Sequence, residues 1–266
     1  GGTHAADITA KTVSLSATKV YDGNTSLTGA VTITTGVAGE ALAYTGATAN
    51  DKNVATAGKH VSAITLTDGT GTASDYALPS LAAAGADNAV SITAKTVTVS
   101  ATKTYDGSTD LTGAVTLATG VAGEALNYTG ATASNAHVAT AGKYVNAITL
   151  TDGTGTATNY ALPTLDNANA PVTVNTRAVD LSGSRVFDGS TTIAAGMLNL
   201  GNLVSGEQLT LSGNGTVADK HVGTAKPVTL GSLALADGTG GLASDYTFTG
   251  GTHAADITAK TVSLSA

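Results

Sequence analysis

The chain contains three tandem copies of one segment of about 83 residues, and this repetition constrains its fold more than any other feature. The tripeptide Tyr21-Asp22-Gly23 recurs as Tyr105-Asp106-Gly107 and again as Phe187-Asp188-Gly189. About three-quarters of residues 11–79 recur unchanged at 95–163, whereas the third repeat has diverged further. A chain of this kind is expected to form a row of similar domains, each folded around its own core.

The phase of the repeats predicts where each domain begins and ends. We place repeat one at residues 11–94, repeat two at 95–176 and repeat three at 177–259. Residues 1–10 are then the end of a preceding repeat, and residues 260–266 are the first strand of the next one. Residues 1–17 are identical to 250–266, which indicates a larger unit of 249 residues (250 minus 1) that is itself repeated in a longer protein.

Each repeat has the pattern of short β-strands separated by turns. Val13-Ser14-Leu15-Ser16 and Ile64-Thr65-Leu66-Thr67 alternate apolar with polar residues, which is the period of a strand with one buried face. Asp-Gly, Asn-Gly and other Gly-rich clusters interrupt such runs every 8–12 residues or so, as in a β-sandwich. Only residues 94–95 separate the last strand of repeat one (89–93) from the first strand of repeat two (96–100). We therefore predict an all-β fold of tandem immunoglobulin-like β-sandwich repeats arranged end to end as a rod.

Composition excludes several classes of partner. The net charge is −7, from 12 Lys and Arg against 19 Asp and Glu, so we expect no binding to nucleic acid. The chain has no apolar run long enough to cross a bilayer, so we expect no membrane insertion in this fragment. It contains no Cys, which excludes disulfides and thiolate metal sites.

The aromatic-Asp-Gly tripeptide is the sharpest local motif, and we interpret it as structural. Gly adopts a positive φ at no steric cost, and the preceding Asp can accept hydrogen bonds from backbone amides two residues on. The aromatic residue can then pack inward and anchor the turn. Because Phe187 replaces tyrosine in the third copy, we expect the hydroxyl to be dispensable there, which argues against a catalytic Tyr-Asp pair.

Acidic residues are retained at three positions of every repeat, and two roles are open to them. Besides the motif aspartates, they are Glu40, Glu124 and Glu207, which are the only glutamates of the chain, and Asp68, Asp152 and Asp237. Capping of turns is the interpretation we favour. A calcium site is the alternative, because this cation prefers clustered oxygens, but the dense Asp-x-Asp spacing of calcium loops is missing. We predict no catalytic residue, no metal ligand and no cofactor, with calcium as the alternative left open.

Two other polar positions change from copy to copy. One carries Asn53, His137 and His221, and another carries Asp75, Asn159 and Asp245. A catalytic or zinc-binding histidine should not vary between such similar copies, so we expect these histidines to have surface or loop roles. The mixture of Asp and Asn indicates that no charge is required at the second position.

The motif resembles that of a known family of modules. Together with the preceding Ala-Lys-Thr-Val strand (10–13) and the later Asp-Tyr-Ala-Leu-Pro segment (75–79), it is similar to the YDG repeats found in tandem in filamentous-haemagglutinin-like adhesins of Gram-negative bacteria. Repeat three departs conservatively from the pattern, at Phe187 and at Arg177 in place of lysine. The resemblance implies export to the extracellular bacterial cell surface, often by two-partner secretion, and a role in adhesion or biofilm formation.

These features together predict a non-catalytic stalk that projects a distal binding region, with neighbouring repeats of the same chain as its partners. The alternative is that each repeat binds a host glycan or a matrix protein weakly and that tandem copies supply avidity. A glycosidase would need two placed carboxylates, for which Glu40 with Asp22 or Asp68 are the retained candidates. No motif supports that third possibility.

Overall fold

A computed structural model describes residue 2 and residues 4–264 of the chain; Gly1, Thr3, Ser265 and Ala266, at the ends of the predicted fragments 1–10 and 260–266, lie outside the described residues. Regular structure in the described part is β-strand apart from short 3₁₀ turns, which confirms the predicted all-β class. No helix in this part is long and apolar enough to cross a membrane. The immunoglobulin-like, end-to-end arrangement remains a prediction.

Repeat one is built around a central strand that pairs with the last strand of the repeat. Its strands are β1 (Lys11–Thr12), β2 (Ser14–Val20), β3 (Val31–Thr34), β4 (Ala43–Ala49), β5 (Val61–Thr67), β6 (Tyr76–Ala77) and β7 (Asn88–Thr93). Strand β2 pairs antiparallel with β3 and parallel with β7, while β4 and β5 form a separate hairpin and β1 pairs with β6. The apolar residues of the alternating pattern, Val13 and Leu15, face the core at 1% and 2% exposure.

Repeat two has the same order of strands. They are β8 (Lys95–Thr96), β9 (Thr98–Thr104), β10 (Val115–Ala118), β11 (Asn127–Ala133), β12 (Val145–Thr151), β13 (Tyr160–Ala161) and β14 (Val172–Asn175). Strand β9 lies between β10 and β14, and β8 pairs in parallel with β13. A 3₁₀ turn at Ala157–Asn159 precedes β13, as the turn at Ala73–Asp75 precedes β6.

Repeat three keeps this plan but breaks its long hairpin in two. Its strands are β15 (Arg177–Ala178), β16 (Asp180–Val186), β17 (Thr192–Ala194), β18 (Leu198–Gly201), β19 (Leu209–Ser212), β20 (Asn214–Val217), β21 (Gly223–Thr229), β22 (Ala234–Asp237), β23 (Tyr246–Thr247) and β24 (Ala254–Thr258), with 3₁₀ turns at Ala195–Met197 and Ala243–Asp245. Gly213, with φ +84°, separates β19 from β20. The first half of the hairpin pairs as β19–β22, and the second half joins a six-stranded sheet in the order β17-β20-β21-β24-β16-β18. Leu181, Ile193 and Ile257 lie at the centre of its core.

Two copies of one peptide show that the closing strand of a repeat depends on its neighbours. Ala254–Thr258 lies between β16 and β21, where Ile257 is 1% exposed. The identical residues 5–9 form no strand, and Ile8 is 99% exposed. The strand predicted at 260–266 is likewise not formed over residues 260–264, because a strand of the β2 type pairs with strands that come later in its own repeat.

The repeats follow one another with one residue between paired strands. Strand β7 ends at Thr93 and β8 begins at Lys95, and β14 ends at Asn175 before β15 begins at Arg177. The chain divides into two compact units, one comprising Gly1–Val99, Leu117–Thr129 and Thr149–Thr164, and the other Ser100–Thr116, Gly130–Ile148 and Leu165–Ala266. The contact of repeat one with repeat two lies within the first unit, and the contact of repeat two with repeat three lies within the second.

Candidate functional site: the junction between successive repeats

The aromatic-Asp-Gly motif forms a tight turn at the end of each repeat's central strand. The glycines have positive φ, at +84° for Gly23, +79° for Gly107 and +83° for Gly189. The aspartate accepts a hydrogen bond from the amide two residues on, as from Ser108 N to Asp106 Oδ1 at 2.9 Å. Backbone conformation and side-chain acceptor therefore hold the same turn closed.

A basic residue three positions before each aspartate lies beneath this turn. The Lys19 side chain is 9% exposed, and its Nζ is 2.6 Å from Asp22 Oδ1. The amine also donates to the carbonyl oxygens of Asn24 and Ser26. Burial acts to raise the pKa of Asp22, but the hydrogen bonds from Lys19 and from the Asn24 amide outweigh it and lower that pKa below its ordinary value.

The other two repeats have the same cation. Lys103 pairs with Asp106 at 2.7 Å, and Arg185, whose side chain is 2% exposed, pairs with Asp188. Sequence reasoning missed this contact. The basic residue at the same offset in every copy was the signal that could have found it.

The motif tyrosine of one repeat binds the retained glutamate of the next repeat. Tyr21 is 2% exposed, and its hydroxyl donates to Glu124 Oε1 at 2.7 Å. Tyr160 of repeat two donates to the other oxygen of this carboxylate, also at 2.7 Å. The two phenol rings meet edge to face with centroids 5.4 Å apart, a favourable aromatic geometry.

The second junction repeats this arrangement. Tyr105 donates to Glu207 Oε1 at 2.6 Å and Tyr246 donates to Oε2 at 2.7 Å, with the two rings 5.5 Å apart. In repeat one, Tyr76 donates to Glu40. The expectation that the glutamates cap turns is therefore corrected: these carboxylates accept tyrosine hydroxyls, because the strand β6, β13 or β23 of the same repeat brings a tyrosine beside them.

At both junctions the motif glycine also lies close to the next repeat. A Cβ on Gly23 would lie 2.7 Å from Val121 Cγ1, and one on Gly107 would lie 2.8 Å from Val204 Cγ1. Any side chain there would displace the valine of the following repeat. Glycine thus serves both the turn and the junction.

A second polar contact crosses each junction at the two positions that vary. At the first junction, Val54 N donates to Asn159 Oδ1 at 2.8 Å and Asn159 Nδ2 donates to Asn53 Oδ1 at 2.9 Å. At the second, Asp245 Oδ1 accepts from Val138 N and Asp245 Oδ2 accepts from His137 Nδ1, both at 2.7 Å. Asn159 and Asp245 are 1% and 0% exposed. The choice between Asp and Asn is therefore matched to the residue that the preceding repeat presents, which the comparison of single positions did not reveal.

Burial and the shared carboxylate shift the ionisation of the junction groups. Burial, with the hydrogen bond to Glu124, raises the pKa of Tyr21 to about 12. The same causes, with Glu207 as acceptor, raise the pKa of Tyr246 to about 12. Burial acts to raise the pKa of Glu124, but the hydrogen bonds from Tyr160 and Tyr21 and the charge of Lys52, 3.6 Å away, lower it overall. The first junction thus favours one carboxylate anion between two neutral phenols.

The remaining retained acids close turns within their own repeats. Asp68, Asp152 and Asp237 each accept a backbone amide at 2.7 Å, from Ala73, Ala157 and Ala243 respectively. Among the described residues no group of three or more His, Cys, Asp or Glu side chains is placed to hold a metal ion. What the structure assembles at the junctions is a polar contact flanked by aromatic rings.

Comparison with known proteins identifies the family. The model of the YDG domain matches residues 4–84 and 168–255. These segments cover more than half of the chain, which therefore belongs to the YDG domain family. No curated protein and no solved structure matches the chain significantly.

Removing one tyrosine hydroxyl at a junction should lower the stability of the folded protein. We expect Tyr105→Phe to lower the free energy of unfolding by about 1–3 kcal/mol, because the half-buried Glu207 carboxylate would lose one of its two phenol donors. Urea denaturation measures this change. The matched control is Phe187→Tyr, which adds a hydroxyl at the equivalent position of repeat three and should change stability by less than about 0.5 kcal/mol. Equal effects of the two substitutions would contradict the assignment.

Alkaline pH should loosen the junctions before it disrupts the cores. In the folded protein the pKa of Tyr21 lies at about 12, above its ordinary value of 10.0. The contribution of this hydroxyl to the free energy of unfolding is therefore complete below pH 10 and is lost as the pH rises towards 12. The free energy of unfolding should therefore fall between pH 10 and pH 12. Part of the tyrosinate absorbance should appear only in this interval, above the pH at which exposed tyrosines ionise. The variant Tyr21→Phe should show a shallower fall. Titration of every tyrosine together near pH 10 would refute this account.

The side chains of His137 and Asp245 should be energetically coupled. We expect His137→Asn to cost about 1–3 kcal/mol, because the carboxylate of Asp245 would stay fully buried without its imidazole partner. Adding Asp245→Asn should restore most of the loss, because it recreates the Asn–Asn contact of the first junction. A double-mutant cycle of unfolding free energies measures the coupling. Additive effects of the two changes would show that the residues are not coupled.

Proposed function

We propose that this chain is a non-catalytic stalk within a large secreted surface adhesin of a Gram-negative bacterium. Its repeats stand end to end as immunoglobulin-like sandwiches and hold a distal binding region away from the cell, in adhesion or biofilm formation. Export by two-partner secretion and an extracellular location belong to the same proposal. Membership of the YDG domain family, together with the resemblance to adhesin repeats, supports this setting.

The observation that carries the stalk is the junction itself. Two successive junctions contain the same Tyr–Glu–Tyr contact, and one residue joins the paired strands on either side. A linker this short gives little freedom for independent movement. The Val121 side chain against Gly23 further restricts the angle at which repeat two follows repeat one.

The retained residues support a mechanical role. Tyr21 and Tyr105 are 2% and 1% exposed, and the carboxylates they bind are engaged by two phenols each. The retained aspartates are engaged by the turn amides and by the buried cations. The motif tyrosines, the glutamates that they bind and the retained aspartates therefore serve turns and junctions.

A second candidate function is weak binding at every repeat, and one recurrent feature favours it. A groove of about 470 Å³ lies between β3 and β4 of repeat one, lined by Val31, Ile33, Leu42 and Tyr44. The equivalent groove of repeat three, about 590 Å³, is lined by Leu198, Leu200, Leu209 and Leu211. Titration with oligosaccharides or matrix peptides, followed by NMR, would support this function if Ile33 and Tyr44 shifted together and saturably.

The stalk predicts an elongated particle. We expect small-angle X-ray scattering to give a maximum dimension on the order of 100–130 Å, since each sandwich should contribute roughly 35–40 Å. A compact chain of this length would instead have a radius of gyration of about 18 Å. The curve should be the same with calcium and with chelator.

Other outcomes would change the proposal. A radius of gyration near 18 Å would contradict the stalk proposal, because it would mean that the repeats fold back on one another. A rod that bends when calcium is withdrawn would assign Glu124 and its equivalents a metal-binding role. Tyr105→Phe provides a further control, because a weakened junction should broaden the distribution of dimensions without changing the mass.

A further inference from the structure

One end of repeat one carries the surface that is covered in the other two repeats. We define this acceptor surface in repeat one by Val37, Glu40, Asp75 and Tyr76, whose equivalents in repeats two and three contact the preceding repeat. Asp75 is exposed, whereas its equivalents Asn159 and Asp245 are buried at 1% and 0%. Glu40 is also exposed, and Val37 is 38% exposed.

The opposite end of repeat three carries the matching surface. We define this donor surface by Phe187, Lys220, His221 and Val222, which correspond to Tyr21, Lys52, Asn53 and Val54 in repeat one. Val222 is 57% exposed, whereas Val54 is half-buried in its junction. Phe187 is half-buried, whereas Tyr105 is 1% exposed.

The side chains of these two surfaces fit the pairing seen at the existing junctions. Asn53 meets Asn159, and His137 meets Asp245. The donor surface of repeat three offers His221, and the acceptor surface of repeat one offers Asp75, which is the second of these combinations.

Charge is matched at the glutamate as well. Phe187 has no hydroxyl to donate to Glu40, but Lys220 occupies the position of Lys52, whose amine is 3.6 Å from Glu124. Repeat one presents both a tyrosine and a lysine at these two positions, whereas repeat two presents only the tyrosine and repeat three only the lysine. Tyr76 already donates to Glu40 from within repeat one, so this carboxylate keeps a phenol donor and gains a cation.

We propose that the acceptor surface of repeat one is the docking surface for the donor surface of repeat three of a second copy of the same three-repeat unit. The identity of residues 250–266 with 1–17 supports this occupant, because the segment after repeat three begins as repeat one begins. His221 pairs with Asp75, the Val222 amide donates to the Asp75 carboxylate, and Lys220 faces Glu40. This third type of junction would join one three-repeat unit to the next.

The test extends the chain by its own sequence. Residues 18–99 are appended after Ala266, so that residues 250–266 continue into a complete copy of repeat one. Hydrogen exchange of the Val222 amide is then followed by NMR in the original and the extended chains. We expect exchange at Val222 to be at least about tenfold slower in the extended chain. The Val54 and Val138 amides, which are bonded across existing junctions, serve as references in the same sample.

Two substitutions separate docking from a general change in stability. Asp75→Ala in the appended copy should return Val222 to its original exchange rate and leave Val54 and Val138 protected. The same substitution in the first repeat is the matched control and should leave Val222 protected.

Isotope labels confined to the appended residues report its folding through its Leu27 amide, which is bonded to Ala47 in repeat one. Unchanged exchange at Val222 with a folded appended repeat overturns the proposal. An appended repeat that stays unfolded overturns it too, because docking is stated for these sequences in tandem. The inference rests on junction geometry and not on the stalk function. A scattering curve of a compact particle would rule out the stalk but would not change the exchange result at Val222.

Discussion

A glutamate shared between two phenols is the interaction on which both junctions depend. A carboxylate taken out of water is costly unless charge-assisted hydrogen bonds satisfy its oxygens. Glu124 meets this requirement with one donor from its own repeat, Tyr160, and one from the preceding repeat, Tyr21. Because the second donor belongs to the neighbouring domain, the acid is best satisfied only when the two repeats are in contact.

The motif turn positions that second donor. Tyr21 follows β2 directly, and its ring is held because the next two residues close a turn over the nearly buried Lys19. The charge of the lysine is paired with Asp22, and its other N–H groups donate to carbonyl oxygens of the turn, so the cation, the acid and the glycine depend on one another. The tripeptide is therefore one part of a longer motif that begins with the basic residue two positions before the tyrosine. This motif positions an aromatic ring at the contact with the next domain.

The sequence predicted the strands well where the pattern is local, as at Val13 and Leu15, and less well where tertiary contacts decide. Residues 5–9 and 254–258 have one sequence and two structures, with Ile8 exposed and Ile257 buried. No local propensity distinguishes them; the difference is the sheet that β16 and β21 provide to the second copy. The retained Glu and the motif tyrosine were both recognised from repetition, but their contact spans more than 100 residues, as from Tyr21 to Glu124. Comparison of positions within one repeat cannot reveal a bond between two repeats.

The variable positions also show that comparison within single repeats does not reveal contacts between repeats. Asn53 and His137 differ, as do Asn159 and Asp245, and taken one at a time these changes resemble neutral drift. Across the junctions they are matched, since an amide meets an amide and an imidazole meets a carboxylate. Repeat two carries half of each pair, with Asn159 at one end and His137 at the other, so its two neighbours constrain it independently. Divergence at a junction must therefore change both sides together, because a buried carboxylate is better satisfied by the imidazole than by a side-chain amide. The contact between successive repeats can then persist while the residues that form it change.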